Sequence, residues 1–168
     1  MKQHVCQYTL AETLCFQGIG VHSGEATWIR LEPASDNYGI EIVHESHPHD
    51  VIKLGTIIPE VASHATVLKA SSWSISTIEH LLAALHYLGI DNCRIITNHN
   101  EVPILDGSAY PFIEQILKIG RATQTKPKTF LSVKRTVRIE GDMPGVFIDI
   151  EPVNSSNDLM LTYQGNFS

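Results

Sequence analysis

A glutamate and a histidine stand side by side in Ser74-Ile75-Ser76-Thr77-Ile78-Glu79-His80-Leu81-Leu82-Ala83-Ala84-Leu85. On a helix, adjacent positions project about 100° apart around the axis, so the two groups share one level of the helix without sharing a face. The pairing suits metal-assisted hydrolysis, in which a neutral imidazole binds zinc and a carboxylate takes a proton from the attacking water. Spacing supports a second use equally well. Ser76 to Glu79 has the form of a capping box, where Glu79 only accepts the Ser76 backbone N–H. Such boxes are common at helix starts. No His-Glu-x-x-His pattern accompanies the pair, and His86 lies off the His80 face. On spacing both uses stay open, and the cap is the commoner of the two.

The other chemistry-bearing residues are weaker. Val43-His44-Glu45-Ser46-His47-Pro48-His49-Asp50 is rich in histidine, but its proline and polar composition predict an exposed loop with adventitious metal affinity. His64 precedes Ala65-Thr66-Val67-Leu68, and His22 lies between glycines in Gly20-Val21-His22-Ser23-Gly24. Each serves a turn as readily as a reaction. Glu101-Val102-Pro103-Ile104-Leu105-Asp106-Gly107-Ser108 reads as a turn and helix start, with Asp106 or Ser108 as the cap. There is no Gly-rich phosphate loop and no arrangement of a Ser or Cys nucleophile.

The elements that must hold these residues follow from periodicity. Residues 3–62 are strand-like, with β-favouring runs at 27–31 and 40–43 set between Gly, Pro, Asn and Asp. Ile78, Leu81, Leu82, Leu85 and Leu88 then form one helix face, and Gly89 sits where a left-handed cap would end it. A strand is expected at 92–97. A second helix follows residues 106–108, with Pro111 in its first turn, Phe112, Ile113, Ile116 and Leu117 on its apolar face, and Gly120 as its stop. These elements predict an α+β, two-layer sandwich: a mostly antiparallel sheet with two helices on one face. The polar run 121–128 reads as a linker, so a first domain is expected over 1–124 and a second over 125–168. Strands are expected in the latter at 130–133, 136–140, 146–150 and 159–163.

With 168 residues, 43% hydrophobic and 18% charged, the chain has the composition of an ordinary globular protein. A net charge of −6 argues against nucleic acid as a partner, since phosphate binding calls for a basic face. The three cysteines, Cys6, Cys15 and Cys93, are an odd number without metal-ligand spacing and read as buried thiols of a reduced compartment. Neither a signal peptide nor a long apolar run is apparent, so a cytoplasmic protein with no transmembrane segment is expected. An internal similarity extends the argument. Thr13-Leu14-Cys15-Phe16-Gln17-Gly18 parallels Thr136-Val137-Arg138-Ile139-Glu140-Gly141, and Leu31-Glu32-Pro33 parallels Ile150-Glu151-Pro152, in the same order. The pattern predicts a duplicated fold whose second copy stops after its opening strands. A sheet that small needs a partner to cover it.

Gly18-Ile19-Gly20-Val21-His22-Ser23-Gly24, the Glu79-His80-Leu81 segment, Gly89-Ile90-Asp91-Asn92 and residues 101–108 occur in one order. That set closely resembles the UDP-3-O-acyl-N-acetylglucosamine deacetylases, zinc enzymes of lipid A synthesis, from about residue 7 onward. The resemblance implies two similar α+β domains with their helix layers facing and an active site between them. It implies that Glu79 is the general base, that His80 is one of three Zn2+ ligands, and that His22 and His64 lie near the substrate, a UDP-linked acylated amino sugar. The remaining zinc ligands, a His and an Asp, belong to a part of the family pattern that has no counterpart up to Ser168. The chain is therefore expected to be inactive alone and to work with a C-terminal half. A non-catalytic binding or scaffolding remnant, or a homo-oligomer with a composite site, are the alternatives.

Overall fold

The structure is a computed structural model that describes residues 5–56, 59–62, 65–152 and 162. It divides into two units, Met1–Lys128 and Thr129–Ser168.

The first unit begins with β1 (Cys6–Leu10), β2 (Leu14–Ile19), β3 (Ala26–Pro33), β4 (Ile40–His44) and β5 (Ile52–Lys53). Next come β6 (Glu60–Ala62), β7 (Ala65–Lys69), β8 (Ser74–Ser76) and α1 (Glu79–Tyr87). It closes with β9 (Cys93–Thr97), α2 (Tyr110–Ile119) and β10 (Arg121–Pro127). The central sheet has the order β2-β3-β9-β4-β5, antiparallel throughout except for the parallel β4–β9 pair. Alternation along each strand sorts its residues by face. Leu14, Leu31, Ile95, Ile42 and Ile52 lie opposite one another across all five strands and, with Phe16 and Ile29, face the core. Glu32, Arg94, Glu41 and Lys53 form the corresponding charged row on the other face.

Both helices lay their apolar stripes on that core. Leu81, Ala84 and Leu85 of α1 and Phe112 and Ile116 of α2 are buried with the sheet residues, and the rings of Phe16 and Phe112 are 4.9 Å apart. The fold is thus α+β, with strands β6, β7 and β8 making a second antiparallel sheet that leads into α1. Helix α1 ends as expected at Gly89. With Gly89 at φ 66°, its N–H donates to the His86 carbonyl and the Ile90 N–H to that of Leu85, the two bonds of a Schellman motif. Leu117 departs from expectation: it lies at the edge of the stripe and is exposed. Cys15 is also exposed because it points outward from β2, whereas burial pushes the Cys93 thiol up to about 12.

The run read as a linker is a strand. Residues of β10 pair antiparallel with β1, and they are polar because most of them stay at the surface of this two-stranded ribbon. Asn92, 1% exposed, fastens the ribbon to the rest. Its Nδ2 donates to Gln7 Oε1 at 2.8 Å and Gln124 Oε1 at 2.6 Å, and its Oδ1 accepts the Gly39 N–H at 2.7 Å. Asp91 accepts the Tyr8 N–H at 2.7 Å and pairs with Lys128 at 2.9 Å. The Gly89-Ile90-Asp91-Asn92 motif is therefore a helix stop followed by two polar fasteners.

The second unit contains an antiparallel hairpin, β11 (Val137–Glu140) and β12 (Phe147–Ile150). Val137 and Ile139 lie opposite Ile150 and Ile148, while Arg138 forks onto Asp149 at 2.7 and 2.5 Å. The strand expected at 130–133 does not form, since that run has no pairing partner among the described residues. Of the one expected at 159–163, only residue 162 is among the described residues. Among the described residues no helix is long and apolar enough to cross a membrane.

Replacing Asn92 by alanine leaves the Gly39 N–H, Gln7 and Gln124 without their shared partner. Urea unfolding followed by circular dichroism should show a loss of about 2–3 kcal/mol, in the range for stranded buried polar groups.

Candidate functional site

Glu79 is the first residue of α1, and the capping box is not made. The Ser76 N–H donates to the Asn100 carbonyl at 2.9 Å, and the N-cap position falls to Ile78, which has no side-chain bond. Between them Thr77 adopts φ 58°, turning the chain so that Ser76 lies outside the helix. Glu79 Oε2 accepts the Thr66 N–H from β7 at 3.3 Å. Both Glu79 and His80 are half-buried, which leaves each side chain partly open to solvent. The negative charge of Glu79 at a helix N-terminus is also favoured by the helix dipole.

His22 lies in the turn between β2 and β3. That turn is closed by Gly20 N–H donating to the Glu25 carbonyl at 3.0 Å and Gly24 N–H to the Gly20 carbonyl at 2.9 Å. What ties it to α1 is a residue read from the sequence only as part of a turn. Glu101 is 2% exposed. Its Oε1 accepts the His22 N–H at 2.9 Å and the Thr77 hydroxyl at 3.1 Å, and its Oε2 accepts the Ser23 N–H at 2.9 Å. Burial opposes the charge, but these donors outweigh it and hold the carboxyl at about 2, well below its ordinary 4.5. The backbone is fastened on both sides as well: Val102 N–H donates to the Ser76 carbonyl at 3.2 Å and Ile104 N–H to that of Ile19 at 3.0 Å. Residues 100–104 thus run between the end of β2 and the end of β8, the two elements that lead into His22 and Glu79-His80.

Sequence reasoning missed Glu101 because a Glu before Val-Pro carries no sign of burial; only the neighbouring glycine-rich turn hinted at a close approach. His64 lies outside the described residues. The histidine-rich run is not wholly an exposed loop. His44 ends β4 opposite Thr97 and is buried, with Nδ1 accepting the Ser46 N–H at 3.1 Å. Burial first, and then the neighbouring His47, lower its pKa by disfavouring the charged imidazolium. Neither Asp106 nor Ser108 caps α2: the N-cap is Ala109, without a side-chain bond, and the two residues shape the turn ahead of it, the Ser108 hydroxyl accepting the Tyr110 N–H at 3.1 Å and donating to Asp106 at 2.8 Å.

A catalytic zinc takes three protein ligands. Among the described residues no three His, Cys, Asp or Glu side chains converge to hold a metal ion, so they do not by themselves form a zinc site. Glu79 and His80 have the donor chemistry for part of one.

The sequence profile of the family described as LpxC: UDP-3-O-acyl N-acetylglycosamine deacetylase matches residues 7–168. The chain belongs to this family. A UDP-3-O-acyl-N-acetylglucosamine deacetylase of Syntrophus aciditrophicus is 36% identical over 163 residues, which cover 96% of this chain and 50% of the relative. One of Thermosynechococcus vestitus is 39% identical over 165 residues, covering 96% and 55%. The bifunctional enzyme LpxC/FabZ of Porphyromonas gingivalis is 37% identical over 135 residues, covering 79% and 29%. The chain spans about half the length of the deacetylases it matches.

The Glu101 carboxyl stays ionised in the folded chain down to about pH 2, whereas an unfolded one takes up a proton near 4.5. Its contribution to stability is therefore complete above about 4.5 and lost as the pH falls to about 2. Urea midpoints measured across that window should fall more steeply for the wild type than for Glu101→Gln, by the equivalent of no more than roughly 3 kcal/mol.

Proposed function

We propose that this chain supplies part of the active site of a zinc-dependent deacetylase that removes the N-acetyl group of UDP-3-O-acyl-N-acetylglucosamine in lipid A synthesis. The observation that carries the reading is the Glu79-His80 pair at the head of α1, left out of the capping box and half open to solvent, in a chain of this family. In it Glu79 is the general base, His80 is one zinc ligand, and His22 and His64 meet the substrate. Bound zinc would polarise the acetamide carbonyl and acidify the attacking water. Glu79 takes the proton of that water, and the products are acetate and a free amine. The other ligands come from protein outside these 168 residues, in the same polypeptide, a C-terminal partner or a second copy. An exposed free thiol at Cys15 supports a reducing, cytoplasmic setting.

The second unit is read as the opening of a repeat of the first. What supports this is strand register. The internal similarity matches Leu14 to Val137 and Leu31 to Ile150. Leu14 pairs with Leu31, and Val137 pairs with Ile150; Phe16 with Ile29 likewise corresponds to Ile139 with Ile148.

Purified alone, the chain should bind zinc substoichiometrically and release no acetate from the UDP-sugar. Mixed with a polypeptide carrying the remaining half of a family member, it should turn over. In that mixture Glu79→Gln should lower kcat by about 10²–10⁴-fold with zinc content retained, and His80→Ala should lower zinc content. Stoichiometric zinc and turnover from the chain alone would overturn the shared-site reading, and full activity of Glu79→Gln would remove the assignment of the base.

A further inference from the structure

We propose that Glu101 is a positioning residue of this site, its ionised carboxylate locking the His22 turn and the start of α1 into one geometry. The proposal rests on the reading of Glu79, His80 and His22 given above and adds a residue to it.

Three donors from two separate elements converge on one buried carboxylate: the His22 N–H, the Ser23 N–H and the Thr77 hydroxyl. A side-chain amide could not replace it. One of its two ends is a donor and would face an N–H, whereas a carboxylate accepts at both oxygens. The neighbouring backbone is shaped to the same group. A Cβ on Gly20 would collide with Glu101 Oε2 and with the Ser23 hydroxyl, so the turn leaves that space to the carboxylate. Thr77, a β-branched residue, sits at φ 58°, a conformation that such residues resist. Its hydroxyl bond to Glu101 holds it there, and Ile78, Glu79 and His80 follow directly.

A purely structural anchor between two loops needs no charge, and burying a carboxylate costs far more than burying an apolar side chain. What the charge adds is stiffness and direction. Each donor is held by a charge-assisted bond, which is stronger than a neutral one. Small displacements of catalytic groups are costly in rate, so a substrate-contacting histidine on a turn needs such a post. Glu101 touches neither water nor substrate in this scheme; it acts through His22 and through Thr77.

The test compares Glu101→Gln with Thr77→Val, which removes only the bond on the α1 side and keeps the side-chain shape. In the 168-residue chain, hydrogen exchange at the His22 and Ser23 amides should accelerate at least about tenfold in Glu101→Gln, with amides late in α1 changing much less. In the reconstituted enzyme described above, kcat should fall at least about tenfold, and His22→Ala added to Glu101→Gln should cost little more than the larger single change. Thr77→Val should give a smaller loss of the same kind. Accelerated exchange spread evenly over the unit, additive effects of Glu101 and His22, or an unchanged kcat would each overturn the proposal. Absence of turnover in the reconstituted wild type would count against the deacetylase reading itself. The local or global pattern of exchange would then decide for or against the coupling of the turn to α1.

Discussion

A carboxylate withdrawn from water must be given donors, and once it has them those donors can no longer move independently. Glu101 imposes that constraint on the first unit. It lies on a short segment threaded between the ends of β2 and β8, and its oxygens collect N–H and O–H groups from both sides. The glycine at position 20, the left-handed backbone at Thr77 and the displaced start of α1 all follow from that one requirement. Helix α1 begins at Glu79 rather than at Ser76 because Ser76 is held by Asn100 and Thr77 is turned toward the carboxylate.

Asn92 plays a comparable part for the frame. Its amide joins β1, β10 and the turn before β4, so a ribbon whose own sequence is mostly polar is fixed without a large apolar contact. Buried polar groups of this kind are satisfied in only one arrangement, so they select that arrangement over near alternatives. The sheet and helices supply the apolar core, and the two polar hubs set the paths of the loops around it. The residues singled out in the sequence divide accordingly. Gly89 to Asn92 and Asp106 to Ser108 shape the chain, whereas Glu79 and His80 are left with side chains partly open to solvent.

The second unit is simpler in construction. Its hairpin carries one ion pair, Arg138 with Asp149, opposite a row of apolar residues that are exposed in this chain. The same strand register occurs in β2 and β3, where the apolar row is covered by two helices. The chain covers about half the length of the deacetylases it matches, and among the described residues no metal cluster is complete.

Much of the frame could be read in advance. Helix spacing locates α1 and α2, the β-favouring run at 27–31 locates β3, the strand expected at 92–97 is β9, and Gly89 marks its helix end, because each of these depends on neighbours a few residues away. The strand at β10 could not be read, because its polar residues are explained only by pairing with β1, more than a hundred positions earlier. The choice between cap and catalysis at Glu79 was equally closed to local reasoning. A capping box is defined by four consecutive residues, but whether it forms depends on what else can reach the Ser76 N–H. Composition and local spacing were enough for the fold class, the two helices and the residues able to do chemistry. That Asn100 takes the N–H of Ser76, and that Glu101 joins the turn of His22 to the head of α1, emerges only in the folded chain, since hydrogen bonds between distant segments leave no periodic trace along the sequence.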